Sequence, residues 1–352
     1  MSLADTCFAL IVAGMTAYLV LGGADFGAGL WDLTAGSPER GHRVRALVQR
    51  SMGPVWEANH VWLIFVLVVS WTAFPLAFGA VMSTLYIPLF LVAAGVILRG
   101  IGYALRGEAT SISEARLLGG AFALASVLTP FCLGAAVGAI GSGRVHVGRA
   151  TGSGLGVWLH PASLALGVLA VLAGAYLAAV FMAADAARDG LADLERAFRR
   201  RALGAGAAAG AAAFGALLVL RSDAPQLYGR LSSGRAVICV IGPALAGAAT
   251  LALVWRGRYG LARYAAAAAV AAITLGWALA QYPYLLPGAL TVDRAAAPHA
   301  TLVALLGVAA VGLVLIAGPL VALYRLAVHG DIDEPLDELD RHFAPHGEGS
   351  AS

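Results

Sequence analysis

The chain is 352 residues long, 60% hydrophobic and only 12% charged, with a mean hydropathy of +0.82. Soluble domains carry roughly 25% charged residues, so this composition excludes an ordinary soluble domain and belongs to a polytopic membrane protein. A net charge of +3, with all 23 basic side chains Arg and no Lys, gives no sign of a nucleic-acid partner.

The N-terminal stretch MSLADTCFALIVAGMTAYLV has no basic leader region and no A-x-A cleavage site before a soluble domain. It reads as a first transmembrane helix, not a removed signal. A helix needs about 20 apolar residues to cross the bilayer core. Nine segments qualify, near 7–31, 53–75, 78–104, 117–140, 160–184, 202–220, 235–255, 261–281 and 301–326. They must be helices, because backbone groups cannot stay unpaired in lipid. The expected fold is therefore all-α and polytopic, as two four-helix bundles plus one peripheral helix. Residues 1–330 read as a single integral membrane domain. Residues 331–352, opening DIDEPLDELDRHF, read as an acidic cytoplasmic tail.

Orientation follows from the arginines, which favour cytoplasmic segments. With the N-terminus outside and the C-terminus cytoplasmic, 17 of the 23 fall inside. Only Arg144, Arg149, Arg221, Arg230, Arg235 and Arg294 then lie outside. Runs such as LGGADFGAG and AGAGAAAGAAA supply small residues that let helices approach closely. Cys7, Cys132 and Cys239 fall in separate apolar runs with no CxxC pair, and read as small core residues.

Three charges sit where hydrocarbon should be. Asp25 lies late in the first helix (GGADFGAGLWD), Glu57 at the head of the second (GPVWEANHVWLI) and Arg99 late in the third (VILRGIGYALRGE). Such groups cost roughly 2.5–3.5 kcal/mol on insertion scales and stand as functional hypotheses. Alternating helix directions bring all three to one depth, toward the cytoplasm. Arg99 can hold one carboxylate by a bidentate bond, leaving the other free to exchange protons. His60 shares a helix face with Glu57, and Asn59 adds a neutral hydrogen-bonding group. Structural alternatives stay open for each. Glu57 can complement the positive end of its helix, Asp25–Arg99 can be a plain ion pair, and His60 can be a satisfied interior side chain. Trp56 and Trp62, like Trp31 and Trp71, read as packing or interface residues. No H-E-x-x-H, His pair at helical spacing or Cys cluster occurs, so no metal site is expected on this chain.

GADFGAGL followed by GPVWEANHVWLI resembles subunit II of the cytochrome bd-type quinol oxidases. LRGIGYALRGE, VWLHPASLALGVLAVLAGAYLAAVFMAAD and GWALAQYPYLLPGALTVDRAAAPHATL agree, the last resembling the cyanide-insensitive branch. The resemblance implies a subunit of an enzyme that oxidises quinol and reduces oxygen to water in aerobic respiration, in the bacterial cytoplasmic membrane. It places haem b and haem d-type centres in the partner, subunit I, with none on this chain. It leaves room for a structural quinone or lipid and for small accessory membrane subunits. Asp25 and Glu57 become candidates for a proton pathway, supported by Arg99, Asn59 and His60, with Trp56, Trp62, Gly27 and Gly29 as motif packing. One departure stands out: many members carry an acid where this chain has Gly22. The competing reading is a stand-alone secondary transporter or proton channel, which also uses intramembrane charges and Gly- or Pro-broken helices.

Overall fold

The computed structural model describes residues 2–52, 56–105, 112–148, 155–232 and 237–329. The tail at 331–352 lies outside them. Among the described residues eight helices are long and apolar enough to cross a membrane, or nine if one bent pair counts as a single span. The protein is an all-α, multi-pass membrane protein.

Helix α1 (Leu3–Leu33) starts at a capping box. The Asp5 amide donates to Ser2 Oγ at 3.1 Å, and the Ser2 amide donates to Asp5 Oδ2 at 2.9 Å. Helix α2 (Pro38–Met52) is short and polar, and lies across one end of the molecule. Arg45 reaches Asp32 at 3.1 Å and Arg50 reaches Asp189 at 3.5 Å, tying α2 to α1 and to the turn after α7. Then come α3 (Trp56–Ala73), α4 (Pro75–Thr84), α5 (Tyr86–Leu105) and α6 (Ile112–Gly141).

The expected single helix at 78–104 is corrected here. The chain breaks at Leu85, and α4 turns away from α3 by 119°. Pro75 has no N–H to donate back into α3, and Pro88 has none to offer Thr84, so neither helix can be continued through these positions. The bent α3–α4 pair therefore precedes α5.

The second half contains α7 (Pro161–Arg188), α8 (Ala192–Asp223), α9 (Pro225–Leu231), α10 (Ile238–Trp255) and α11 (Tyr259–Gln281). A small hairpin follows, β1 (Tyr284–Leu286) with β2 (Leu290–Thr291), then α12 (Val292–Ala295) and α13 (His299–His329). The expected segment 202–220 grows to the whole of α8, since its Arg-rich first turns stay helical beyond the apolar part.

Helices α1, α3, α5 and α6 pack as one group and α7, α8, α10 and α11 as another, joined where α7 lies against α1 and α6. Helix α13 rests chiefly on α3 and α1. This is the expected pair of bundles with one peripheral helix. Every residue of α7 from Gly174 to Val180 is buried, because small residues bring its neighbours close. A methyl group on Gly27 would sit 1.9 Å from the Gly174 carbonyl oxygen. One on Gly138 would sit 2.6 Å from Ser163 Cα. Apolar side chains such as Phe90, Val308 and Val314 point outward, more than 70% exposed, as a lipid or partner surface requires.

Candidate functional site

The site forms where α1, α3, α5 and α6 converge. Asp25 and Arg99 are both wholly buried. Arg99 Nη2 donates to Asp25 Oδ1 at 2.6 Å and Nε to Oδ2 at 3.2 Å, a bidentate pair. Nη2 also reaches the Asp25 carbonyl at 2.6 Å, and Nη1 donates to Ser126 Oγ. Ser126 Oγ in turn donates to the Phe122 carbonyl at 2.7 Å. Tyr103, one turn after Arg99, donates its hydroxyl to Asp25 Oδ1 at 3.0 Å. Phe122, Phe26 and Tyr103 surround the guanidinium at 4.4, 4.8 and 5.3 Å, a cation–π box that spreads the charge where water is absent.

Gly29 makes this possible. A methyl group there would lie 2.0 Å from Ser126 Oγ and 2.9 Å from Arg99 Nη1. Gly27 does the same work one half-turn away, against α7. Gly27 and Gly29 of GADFGAG are therefore contact residues: the first admits α7 and the second admits the Arg99–Ser126 bond.

The head of α3 closes the site from the side. Trp56 stacks on Tyr103, ring centroids 4.9 Å apart and planes 12° from parallel. The Trp56 carbonyl accepts a bond from His60 Nδ1 at 2.8 Å. A carbonyl only accepts, so Nδ1 carries the proton. His60 is boxed by Phe26, Trp56 and Tyr18, at 6.1, 6.1 and 6.2 Å. Its Nε2 and the Tyr18 hydroxyl are buried with no hydrogen-bond partner among the described residues. Asn59 donates to the Leu21 carbonyl at 3.3 Å and accepts from Tyr324 OH at 2.8 Å, so it docks α13 onto α3 and α1. Trp62 lies further along α3, edge-on to Phe65. Glu57 is the second residue of α3; its side chain lies outside the described residues.

The Gly22 departure has a physical reading. A methyl group at Gly22 would meet Tyr18 Cε2 at 2.9 Å and Cδ2 at 3.1 Å. The Tyr18 ring occupies the space that an acidic side chain at 22 would need. Sequence reasoning missed Tyr18, Tyr103, Ser126 and Tyr324. Tyr103 was discernible as an i, i+4 neighbour of Arg99, whereas Ser126 and Tyr324 carry no sequence signal because they come from other helices.

A second polar cluster lies at the opposite end. Asp223, closing α8, accepts from His160 Nδ1 at 2.6 Å, Arg144 Nη2 at 2.7 Å and the Ala162 amide at 3.0 Å. His160 Nε2 accepts from Ser163 Oγ at 2.8 Å. Asp223 thereby caps α7 and binds three segments together. Burial pushes the His160 pKa down, aided by the Arg144 charge and opposed by Asp223.

No group of three or more His, Cys, Asp or Glu side chains that could hold a metal ion occurs among the described residues. Among the described residues the Phe26, Trp56 and Tyr18 rings occupy the space around His60. These residues do not fit a haem.

Comparison with known proteins adds the rest. A family model described as cytochrome bd terminal oxidase subunit II matches residues 3–327. The chain is 30% identical over 133 residues to cytochrome bd ubiquinol oxidase subunit 2 of Bacillus subtilis, covering 38% of each. It is 26% identical over 121 residues to cytochrome bd-I ubiquinol oxidase subunit 2 of Escherichia coli K12, covering 34% of this chain and 31% of that one. These alignments span 38% and 31% of the two curated relatives. Among solved structures, a chain of the bd oxidase from Geobacillus thermodenitrificans superposes with a TM-score of 0.75 at 24% identity, over 93% of this chain and 98% of that one. That likeness speaks to the fold.

Proposed function

The chain belongs to the cytochrome bd terminal oxidase subunit II family, and from that premise we propose that it is the subunit of a quinol oxidase that ligates no haem. Its partner is a haem-bearing subunit I, in the bacterial cytoplasmic membrane with the N-terminus outside. Haem b and haem d-type centres, held by that partner, supply the electron transfer and oxygen reduction. The residues of this chain supply packing and a proton path. Small accessory subunits and a structural quinone or lipid are compatible with the exposed helix faces.

The observation that carries the proton role is the Asp25–Arg99–Tyr103–Trp56 chain beside the head of α3. The ion pair is desolvated, and its three Arg99 nitrogens and both Asp25 oxygens are engaged. With both oxygens engaged, Asp25 is placed to hold Arg99 and Tyr103 in position. Asp25 and Arg99 therefore set the field and geometry, and Glu57 is the group left to exchange protons.

Glu57→Gln, in the intact two-subunit enzyme, is expected to slow oxygen consumption by roughly tenfold or more, as loss of a positioned proton-transfer group does. Haem content and the reduced-minus-oxidised spectrum should stay unchanged. Full turnover with full haem content would remove Glu57 from the path.

A further inference from the structure

At the end of the molecule that carries α2, the carboxylates of the α7–α8 turn are all engaged. Asp185 pairs with Arg263 and Arg188. Asp189 pairs with Arg188 and Arg50, and Asp193 with Arg43. Glu195 accepts from Tyr259 OH at 2.9 Å. Arg196, Arg199, Arg200 and Arg201 on α8, with Arg256 and Arg258 at the α10–α11 turn, reach no carboxylate among the described residues. Arg199 instead donates to the Trp255 carbonyl, and its guanidinium lies 5.7 Å from the Trp255 ring. That ring is 68% exposed, the placement of an aromatic anchor at a membrane surface.

Beside this rim, α7, α8, α10 and α11 enclose a cavity of about 500 Å³. Its walls are almost wholly apolar, with Gly206, Gly210 and Phe214 of α8 facing Pro243, Gly247 and Leu251 of α10. Leu251 lies four residues from Trp255 and Gly206 seven from Arg199, so the cavity starts roughly 6–10 Å from the arginines at 1.5 Å rise per residue. Gly210 and Gly247 differ from Gly27. A methyl group on Gly210 or Gly247 would meet nothing within 4 Å. They hold space open and do not bring two helices together.

We propose that this groove and its rim bind one anionic phospholipid. The phosphate sits among Arg199, Arg200 and Arg256, and an acyl chain fills the space between α8 and α10. The occupant is anionic because these arginines, which pair with no carboxylate among the described residues, lie one to two helical turns beyond Gly206 and Leu251 at one end of the groove, where each contributes about 1 kcal/mol of attraction to anionic lipid. A neutral isoprenoid would use the groove and leave the arginines without a counter-charge. The proposal does not rest on the oxidase reading, and either can fail alone.

The test is phospholipid analysis of the intact complex purified in mild detergent, followed by exchange into nanodiscs of phosphatidylglycerol or phosphatidylcholine. Wild-type complex is expected to retain about one phosphatidylglycerol per copy of this chain beyond annular lipid. The R200Q/R256Q double variant should retain roughly tenfold less, on the loss of two surface cations. G210L/G247L, placed where a methyl group meets nothing within 4 Å, should lose the lipid while keeping its haem content and unfolding temperature. No stoichiometric phospholipid in the wild type would overturn the proposal. So would retention indifferent to the arginines, or recovery of a neutral quinone displaced by the glycine variants.

Discussion

At the scale of single residues, the Asp25–Arg99 pair is the costliest feature of the chain, and its cost is met by completeness. Two charges taken out of water are repaid only when geometry is good and the remaining donors are satisfied. Here Tyr103, Ser126 and the Asp25 carbonyl satisfy them. Asp25→Asn should leave a buried, uncompensated guanidinium and destabilise the fold by about 3–5 kcal/mol. The readout is the yield and unfolding temperature of the purified complex. Asp25→Asn with Arg99→Gln should recover part of the loss, and a double variant no better than the single would show that the ion pair is not its cause. The pair was readable as two of three misplaced charges, Asp25, Glu57 and Arg99. Its supporting bonds were not, since nothing in the α6 sequence marks Ser126 as a ligand of Arg99.

Between elements, small residues and one polar knot decide what touches what. Gly27 and Gly174 meet backbone to backbone, so Gly27→Ala should force α1 from α7 and abolish assembly. Gly210→Ala, where a methyl group has free space, serves as the neutral control. Similar losses from both would point to a general intolerance of glycine replacement. The His160–Asp223–Arg144 knot joins the α6–α7 connection, α7 and α8, and it carries a pH dependence. The ring's pKa is lowered on folding, chiefly by burial, so the unfolded chain binds the proton more readily. Its contribution is present above the usual His value of about 6.5 and is lost as pH falls through the lowered folded value. The unfolding temperature should drop from about pH 7 to about pH 5.5, and His160→Gln should flatten that slope. An unaltered slope in the variant would assign the acid sensitivity elsewhere. His160 was visible in sequence only as a residue near a helix start; Asp223, 63 positions away, gave no hint of being its partner.

For the whole molecule, the arginine asymmetry predicts which end faces the cytoplasm. The α2 end gathers Arg43, Arg45, Arg50 and the α8 cluster, and the hairpin end carries few. Alkaline phosphatase fused after Gly190 should be inactive, and the same enzyme fused after Gly288 should be active. The reverse pattern would invert the assigned topology and move Glu57 to the outer face.

What the sequence by itself determined is the class, the number of spans, their order and the charge bias between their ends. These follow from per-residue transfer free energies, which act locally and add along the chain. The family resemblance was likewise carried by short contiguous stretches. Only the tertiary structure decided that α4 turns away from α3, that the Tyr18 ring fills the place above Gly22, and that Arg99 binds Ser126 as well as Asp25. It also decided which arginines are left over once the acids are paired. Those outcomes depend on how closely helices approach, which is set by small residues on both partners at once and is a property of neither sequence segment alone.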